Sequence, residues 1–212
     1  VDAIRALNEG RSVLAGFHVR EKPAADSLSA QAYRELLQPG QHKLIGFARR
    51  TQGLIVAPGN PLGLRGLDDL TRPGLRFVNR PEGSGTRVLT ELLLRRQGIA
   101  ASAISGYNNT ELTHAAVAAY VASGMADVGF GVEAAARQFG LDFIPMAREH
   151  YCLLCHQDSL ALPAMGALLE VLQHPEFQAR IAQLPGYALS RPGEVLPLSQ
   201  ALEHWSRESL LE

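Results

Sequence analysis

Three observations predict an α/β fold with a mainly parallel sheet, divided into two lobes. Strand-like and helix-like segments alternate along most of the 212 residues. Pro73-Gly74 interrupts that alternation, and a second block of the same kind then runs to about Arg148. Inside this block an apolar strand ends in a glycine-rich turn that opens a helix, Phe77 to Leu94. The expected lobes are residues 1–73 with 149–212 and residues 74–148, around a central cleft. At 46% hydrophobic residues, the chain can bury a substantial core.

The elements follow in order. Ala3, Ile4 and Leu7 share one face of a helix over Val1–Asn8, ended by Gly10. Val13 to Val19 is a buried strand, running into a loop at Arg20 to Asp26. A helix over Ala30–Leu37 stops at Pro39-Gly40, and strands follow at Lys43–Ala48 and Gly53–Ala57, joined through the polar run Arg49 to Gln52. Pro58 to Pro61 makes a turn, and Leu67–Leu70 a short helical turn. Strand Leu75–Asn79 leads into helix Thr86–Gln97, and a largely apolar helix spans about Glu111 to Ser123. Strand Ala126–Phe130, helix Val132–Phe139 and strands Asp142–Pro145 and Tyr151–Cys155 come next. Helices over Pro163–Gln173 and Pro175–Gln183 precede an amphipathic helix, Leu198–Leu211, that carries the only tryptophan, Trp205.

Composition excludes several function classes. A net charge of −1 without a basic stripe leaves no footprint for nucleic acid. No apolar run approaches the roughly 18 residues that span a bilayer, and no secretory leader is read at the N-terminus. The start at Val1 is read as that of a processed or truncated chain. Cys152-Leu153-Leu154-Cys155-His156 has the spacing of a c-type haem attachment. It lies in an apolar strand, however, where residues three apart face opposite ways, so packed thiols are expected. Reduced cysteines fit a cytoplasmic location. With no G-x-S-x-G elbow, no H-E-x-x-H and no other metal-ligand spacing among seven histidines, no catalytic residue, metal or cofactor is expected.

The chemistry concentrates in Asn79-Arg80-Pro81-Glu82-Gly83-Ser84-Gly85-Thr86-Arg87. A helix start presents N–H groups without intrahelical partners and a partial positive charge, which together attract anions. Glycines allow close approach of the backbone, and Ser and Thr hydroxyls add neutral donors. Plain capping of the helix by Ser84 is the competing explanation. The turn is neither a dinucleotide fingerprint, since Val88 stands where a third glycine belongs, nor a P-loop, since no Gly-Lys-Ser/Thr follows.

Gln52 to Pro61, Phe77 to Arg80 and Gly83 to Arg87 together resemble the periplasmic-binding-protein-like family linked to molybdate and tungstate. So do Gly106-Tyr107, Thr113 to Ala118, Gly124 to Gly131 and Leu141 to Pro145, while Ala15-Gly16-Phe17-His18 is similar to an early Ala-Gly-x-His. The resemblance runs from about residue 3 to residue 187. It implies a two-lobed type 2 periplasmic-binding-protein-like fold. The family's strand and Ser/Gly turn before the first helix have no counterpart here. Members sit behind helix-turn-helix domains in bacterial regulators or are fused to molybdenum-cofactor biosynthesis proteins.

The expected function is therefore small-oxyanion sensing in a cytoplasmic transcriptional regulator. DNA would be bound only through a separate N-terminal domain, membrane contact is not expected, and a homodimer is an open option. The alternatives are an accessory domain of a molybdenum-cofactor biosynthesis protein and a secreted transport receptor. The resemblance directs attention to Ser84, Gly85 and Thr86 as neutral donors and to Arg80 or Arg87 as a charged fork. His18 and Tyr107 are further ligand candidates, each with a structural role as its competing explanation. His114 and Glu133 read as helix-start residues, and Asp127 as a loop-fixing acceptor.

Overall fold

The computed structural model describes residues 2–20 and 35–199, and internal contacts divide them into two compact units. Unit 1 comprises the described residues up to Arg50 and from Arg148 onward; unit 2 is Thr51–Ala147. The chain leaves unit 1 inside a strand, between Arg50 and Thr51, whereas the turn at Pro73-Gly74 lies within unit 2.

Unit 1 contains α1 (Asp2–Asn8), β1 (Ala15–Arg20), the first part of β2 (His42–Val56) and the second part of β5 (Asp142–His156). Helices α5 (Pro163–Gln173) and α6 (Pro175–Ala182) and strands β6 (Tyr187–Leu189) and β7 (Val195–Pro197) complete it. β1 runs antiparallel to β5, from Ala15 opposite Leu154 to Arg20 opposite Glu149. β6 and β7 are antiparallel to β2. Ile4 and Leu7 of α1 pack with Phe17, Leu44, Cys152 and Leu154, while Ile45 and Cys155 pack with Met165 and Leu172 of α5. The two free, buried cysteines thus lie in separate clusters, as strand alternation requires. Burial pushes both thiols up, Cys152 to about 12 and Cys155 to about 11.

Unit 2 holds the rest of β2 and β5, together with β3 (Phe77–Val78), α2 (Gly85–Arg96), α3 (His114–Ala122), β4 (Val128–Val132) and α4 (Glu133–Gln138). Its strands are covered on both faces. Leu54, Val56, Phe77 and Phe130 point towards Leu89 and Leu93 of α2. Ile55 and Val78 point the other way, towards Val117, Ala118 and Val121 of α3 and Ala135 and Ala136 of α4. Gly129 allows the close approach of α3, since a Cβ there would lie 2.5 Å from Cγ1 of Val117. Asp127 fixes the entry to β4, accepting from the Arg76 backbone N–H at 2.8 Å and from its guanidinium at 2.7 and 3.1 Å.

Several expectations are corrected. The sheet is not mainly parallel: β1–β5, β2–β4, β2–β6 and β2–β7 are antiparallel, and β3–β4 is parallel. Arg49 to Gln52 is no linker but the middle of the 15-residue strand β2. Asp142–Pro145 and Tyr151–Cys155 are likewise one strand, β5, with Pro145 at an exposed position. α3 begins at His114, not Glu111, because Thr113 is its N-cap. Residues 35 and 36 form a turn and residue 37 is irregular, rather than a helix end; the remainder of the expected 30–37 helix, and that over Leu198–Leu211 beyond Ser199, lie outside the described residues.

Two outcomes follow from this packing. Gly129→Ala overpacks the α3 face against the short, branched side chain of Val117, which has little room to rotate away, and lowers stability by about 1–3 kcal/mol in urea unfolding. The second concerns His42, fully buried, whose Nδ1 accepts from the Gln38 N–H at 3.0 Å while its Nε2–H donates to Asn8 Oδ1 at 3.0 Å. Both nitrogens are used by the neutral ring, so burial first, and then His156, lower its pKa below the ordinary 6.5. The unfolded chain then binds more protons in acid, and stability falls as pH drops through about 6.5. His42→Gln flattens that slope in thermal unfolding between pH 7.5 and 5.5; identical slopes would rule this origin out.

Candidate functional site

The end of β3 and the start of α2 are tied together by polar groups drawn out of water. Asn79 is fully buried. Its backbone N–H donates to Asn109 O at 2.8 Å, its Nδ2 to Tyr107 O at 3.2 Å, and its Oδ1 accepts the Arg80 N–H at 2.9 Å. It also forms a parallel bridge with Thr110, so the turn after β3 is stitched to the 107–111 loop. Gly83 has φ +79, and extended Ser84 caps α2 by accepting the Arg87 N–H at 3.2 Å. That bond uses a lone pair of the Ser84 hydroxyl and leaves its O–H as a donor. Gly85 and Thr86 are the first two helical residues, and their N–H groups have no intrahelical acceptor. Thr86 is itself buried, whereas Gly83, Ser84 and Gly85 are half-buried.

The two arginines behave differently. Arg87 is inward, its side chain 5% exposed. Its Nε donates to Glu91 Oε1 at 2.8 Å, and one Nη donates to the carbonyls of Tyr107 and Arg80 at 3.2 and 3.4 Å. It lies 4.0 Å from the centre of the Tyr107 ring. Arg80 donates to Leu112 O at 2.8 Å, next to Thr113, the N-cap of α3. Arg80 therefore sits between the start of α2 and the start of α3. Neither helix has an acidic residue in its first turn.

Tyr107 is 8% exposed and packs as part of the core, near Phe77. Burial pushes its phenol up, and Glu91 adds to that while Arg87 opposes it. Gly106 before it has φ +81, and a Cβ there would come within 2.3 Å of the Phe77 carbonyl oxygen. This turn can therefore carry only glycine.

His18 belongs to unit 1 and stands in a different cluster. Its Nδ1 is 3.1 Å from Glu149 Oε1 and 2.8 Å from an Arg50 Nη, and Arg50 Nε donates to Glu149 Oε1 at 2.5 Å. His18 and the Tyr151 ring stack at 4.8 Å, and the Arg50 guanidinium lies 4.5 Å from the same ring. Burial alone would raise the Glu149 carboxyl, but the charges and hydrogen bonds of His18 and Arg50 outweigh it and hold it well below its usual range.

The structure thus brings together Ser84, Gly85, Thr86, Arg80, Arg87 and Tyr107 in unit 2, while His18 is grouped with Arg50 and Glu149 in unit 1. Sequence reasoning missed the roles of Asn79, Glu91 and Glu149. The four-residue spacing of Arg87 and Glu91 was the one available signal. Among the described residues no His, Cys, Asp and Glu group suited to a metal ion occurs.

The chain matches the sequence model of the PBP superfamily domain over residues 1–173. It is 31% identical over 190 residues to the uncharacterized protein YvgK of Bacillus subtilis (strain 168), covering 90% of this chain and 61% of that protein, so it spans less than two thirds of that relative. Its fold is similar to that of a "putative phosphate ABC transporter substrate-binding protein with bound phosphate" from Clostridium perfringens (TM-score 0.59, 12% identity, 89% and 84% of the two chains). It is also similar to the "substrate binding domain of putative molybdenum ABC transporter" from Clostridium difficile (TM-score 0.50, 15% identity, 89% and 82%). At these identities the likenesses carry the fold alone. The extent of the sequence match, joined to this α/β architecture, makes the chain a member of the PBP superfamily domain family, with a periplasmic-binding-protein-like fold.

Proposed function

We propose that this domain binds a small oxyanion, molybdate or tungstate before others, as the sensor domain of a bacterial transcriptional regulator in the cytoplasm. The observation that carries the reading is the start of α2, where the partner-free N–H groups of Gly85 and Thr86, the Ser84 hydroxyl and Arg80 adjoin. The domain binds and does not catalyse. DNA contact belongs to a separate N-terminal domain, and a homodimer would present two such sensors. Arg80, which reaches from the start of α2 to the carbonyl before the N-cap of α3, is the arginine of the site. The likeness to the two Clostridium transport proteins favours one second reading, a transport receptor for a similar anion. A DNA-binding segment in the full-length protein supports the sensor, a secretory leader the receptor.

Calorimetry against molybdate, tungstate, phosphate and sulfate tests the ligand, and binding of none of them would overturn the assignment. Ser84→Asp separates recognition from capping. Aspartate caps a helix as well as serine does and suits the dipole, so stability is retained. Its charge repels an anion at the same N–H groups, and affinity falls at least about tenfold, about 1.4 kcal/mol. A well-folded Ser84→Asp variant with unchanged affinity would reduce the turn to a helix cap.

A further inference from the structure

His42 opens β2 where three segments of unit 1 meet, and it is fully buried. Its Nε2–H donates to Oδ1 of Asn8, the last residue of α1, and Nδ2 of Asn8 donates to Leu36 O at 2.8 Å. Nδ1 accepts from the Gln38 N–H, while the Gln38 carbonyl accepts the N–H groups of Gln41 and His42 at 2.9 and 2.8 Å. The Gln41 carbonyl in turn accepts the Gln157 N–H at 2.8 Å, just beyond the end of β5. Apart from these bonds the segment has little to hold it. Gln38, Pro39, Gly40 and Gln41 are exposed, and Leu36 and Leu37 are half-buried against the cluster of Ile4 and Leu7. A segment with so few buried contacts opens at a fraction of the cost of unfolding the whole.

A neutral imidazole offers one donor and one acceptor, which is what Asn8 and Gln38 require. A further proton has only Nδ1 to go to, and there it sets an N–H against the Gln38 N–H with no acceptor between them. Ring and turn must then part. We infer that His42 is an acid-sensitive latch that, when neutral, fastens residues 36–41 to α1 and, when protonated, releases them while the sheet of unit 1 stays formed. Among the described residues, the titratable group beside the ring is His156 at the end of β5, 4.8 Å from it between ring centres, and a charge on one ring opposes a charge on the other. The partners turned towards the ring by α1 and the 36–41 segment, Asn8 and Gln38, do not titrate. Lys43, next on β2, lies on the opposite side of the strand, near Cys155. Burial first, and then His156, lower the pKa of the closed ring below 6.5, whereas the solvated ring of the open segment recovers that value. Opening therefore takes up a proton, and the open population grows as pH falls through about 6.5. The latch lies wholly within unit 1 and does not depend on the oxyanion reading.

The test is amide hydrogen exchange of the whole chain, followed by NMR from pH 7.5 to 5.5 with and without low urea, each rate being divided by its intrinsic value. The amides of Gln38, Gln41 and His42 are expected to exchange through an opening that low urea leaves unchanged, because little surface is exposed by it. Their protection stays level above about pH 7 and falls towards about tenfold per pH unit below about 6.5. The amides of the β1–β5 ladder keep a higher protection, which urea lowers. His42→Asn places an acceptor oxygen near the position of Nδ1 and cannot titrate, so the pH step at Gln38 disappears. Protection at the three amides that is indifferent to pH would overturn the latch. So would protection equal to that of the ladder in level and in urea dependence, since the segment would then open only with the whole unit. The exchange readout uses the unaltered protein, so a His42→Asn chain that misfolds does not remove the test.

Discussion

A guanidinium taken out of water must find acceptors, and the search made by Arg87 organises the candidate site. Its partners come from three segments: Glu91 one turn along α2, the carbonyl of Arg80 before the helix, and the carbonyl of Tyr107 in a loop 20 residues away. A buried guanidinium without acceptors is costly, so this one side chain ties the three segments together, although Glu91, itself partly in solvent, contributes less than a fully buried partner would. Asn79 reinforces the same seam from the strand side, sharing the Tyr107 carbonyl with Arg87. The first turn of α2 is thereby fixed before any ligand arrives, which lowers the ordering cost of binding.

The buried charges of unit 1 follow the same rule with a different result. Arg50 and Glu149 are each less than a tenth exposed and satisfy one another. They also allow β2 to continue through a polar run that would otherwise demand solvent. Their pairing is saturated in charge but leaves Nδ1 of His18 facing a donor and an acceptor together. Buried networks with one hydrogen too few or too many are sensitive to protonation, because a low local dielectric magnifies each mismatch.

This explains which parts of the fold were legible in the sequence. The start of α2 was readable because its cause is local: Ser84 caps it three residues from the N–H it accepts. Proline at the first position likewise announced α5 and α6. The continuity of β2 was not readable, because Arg50 is made tolerable by Glu149, 99 residues away. β6 and β7 are three residues each, too short for a period to register. Strand direction was misjudged because alternation of strands and helices was taken to mean parallel crossovers, whereas β2 and β5 are long strands that serve both units and pair antiparallel with shorter neighbours. The residues of the glycine turn are neighbours by sequence alone, but the inward course of Arg87 depends on the Tyr107 carbonyl, which no local pattern reveals.

The distribution of acidic residues over the helix starts bears on the proposal that an oxyanion binds at α2. α1, α4 and α6 each carry an acid in the first turn, Asp2, Glu133 and Glu176, which balances the positive end of the helix internally. Helix α5 has none, but Pro163 at its first position removes one of the partner-free N–H groups. Only α2 and α3, among the described α-helices, keep the N–H groups of their first turns and have no acid within that turn. They are also the two linked by Arg80 through Leu112. On that proposal, two helix starts without an acid in the first turn and one guanidinium would favour an anion without a crowd of cations. Such a site suits an anion that must be stripped of water on several sides, since neutral, fixed donors replace its hydration at little cost in reorganisation.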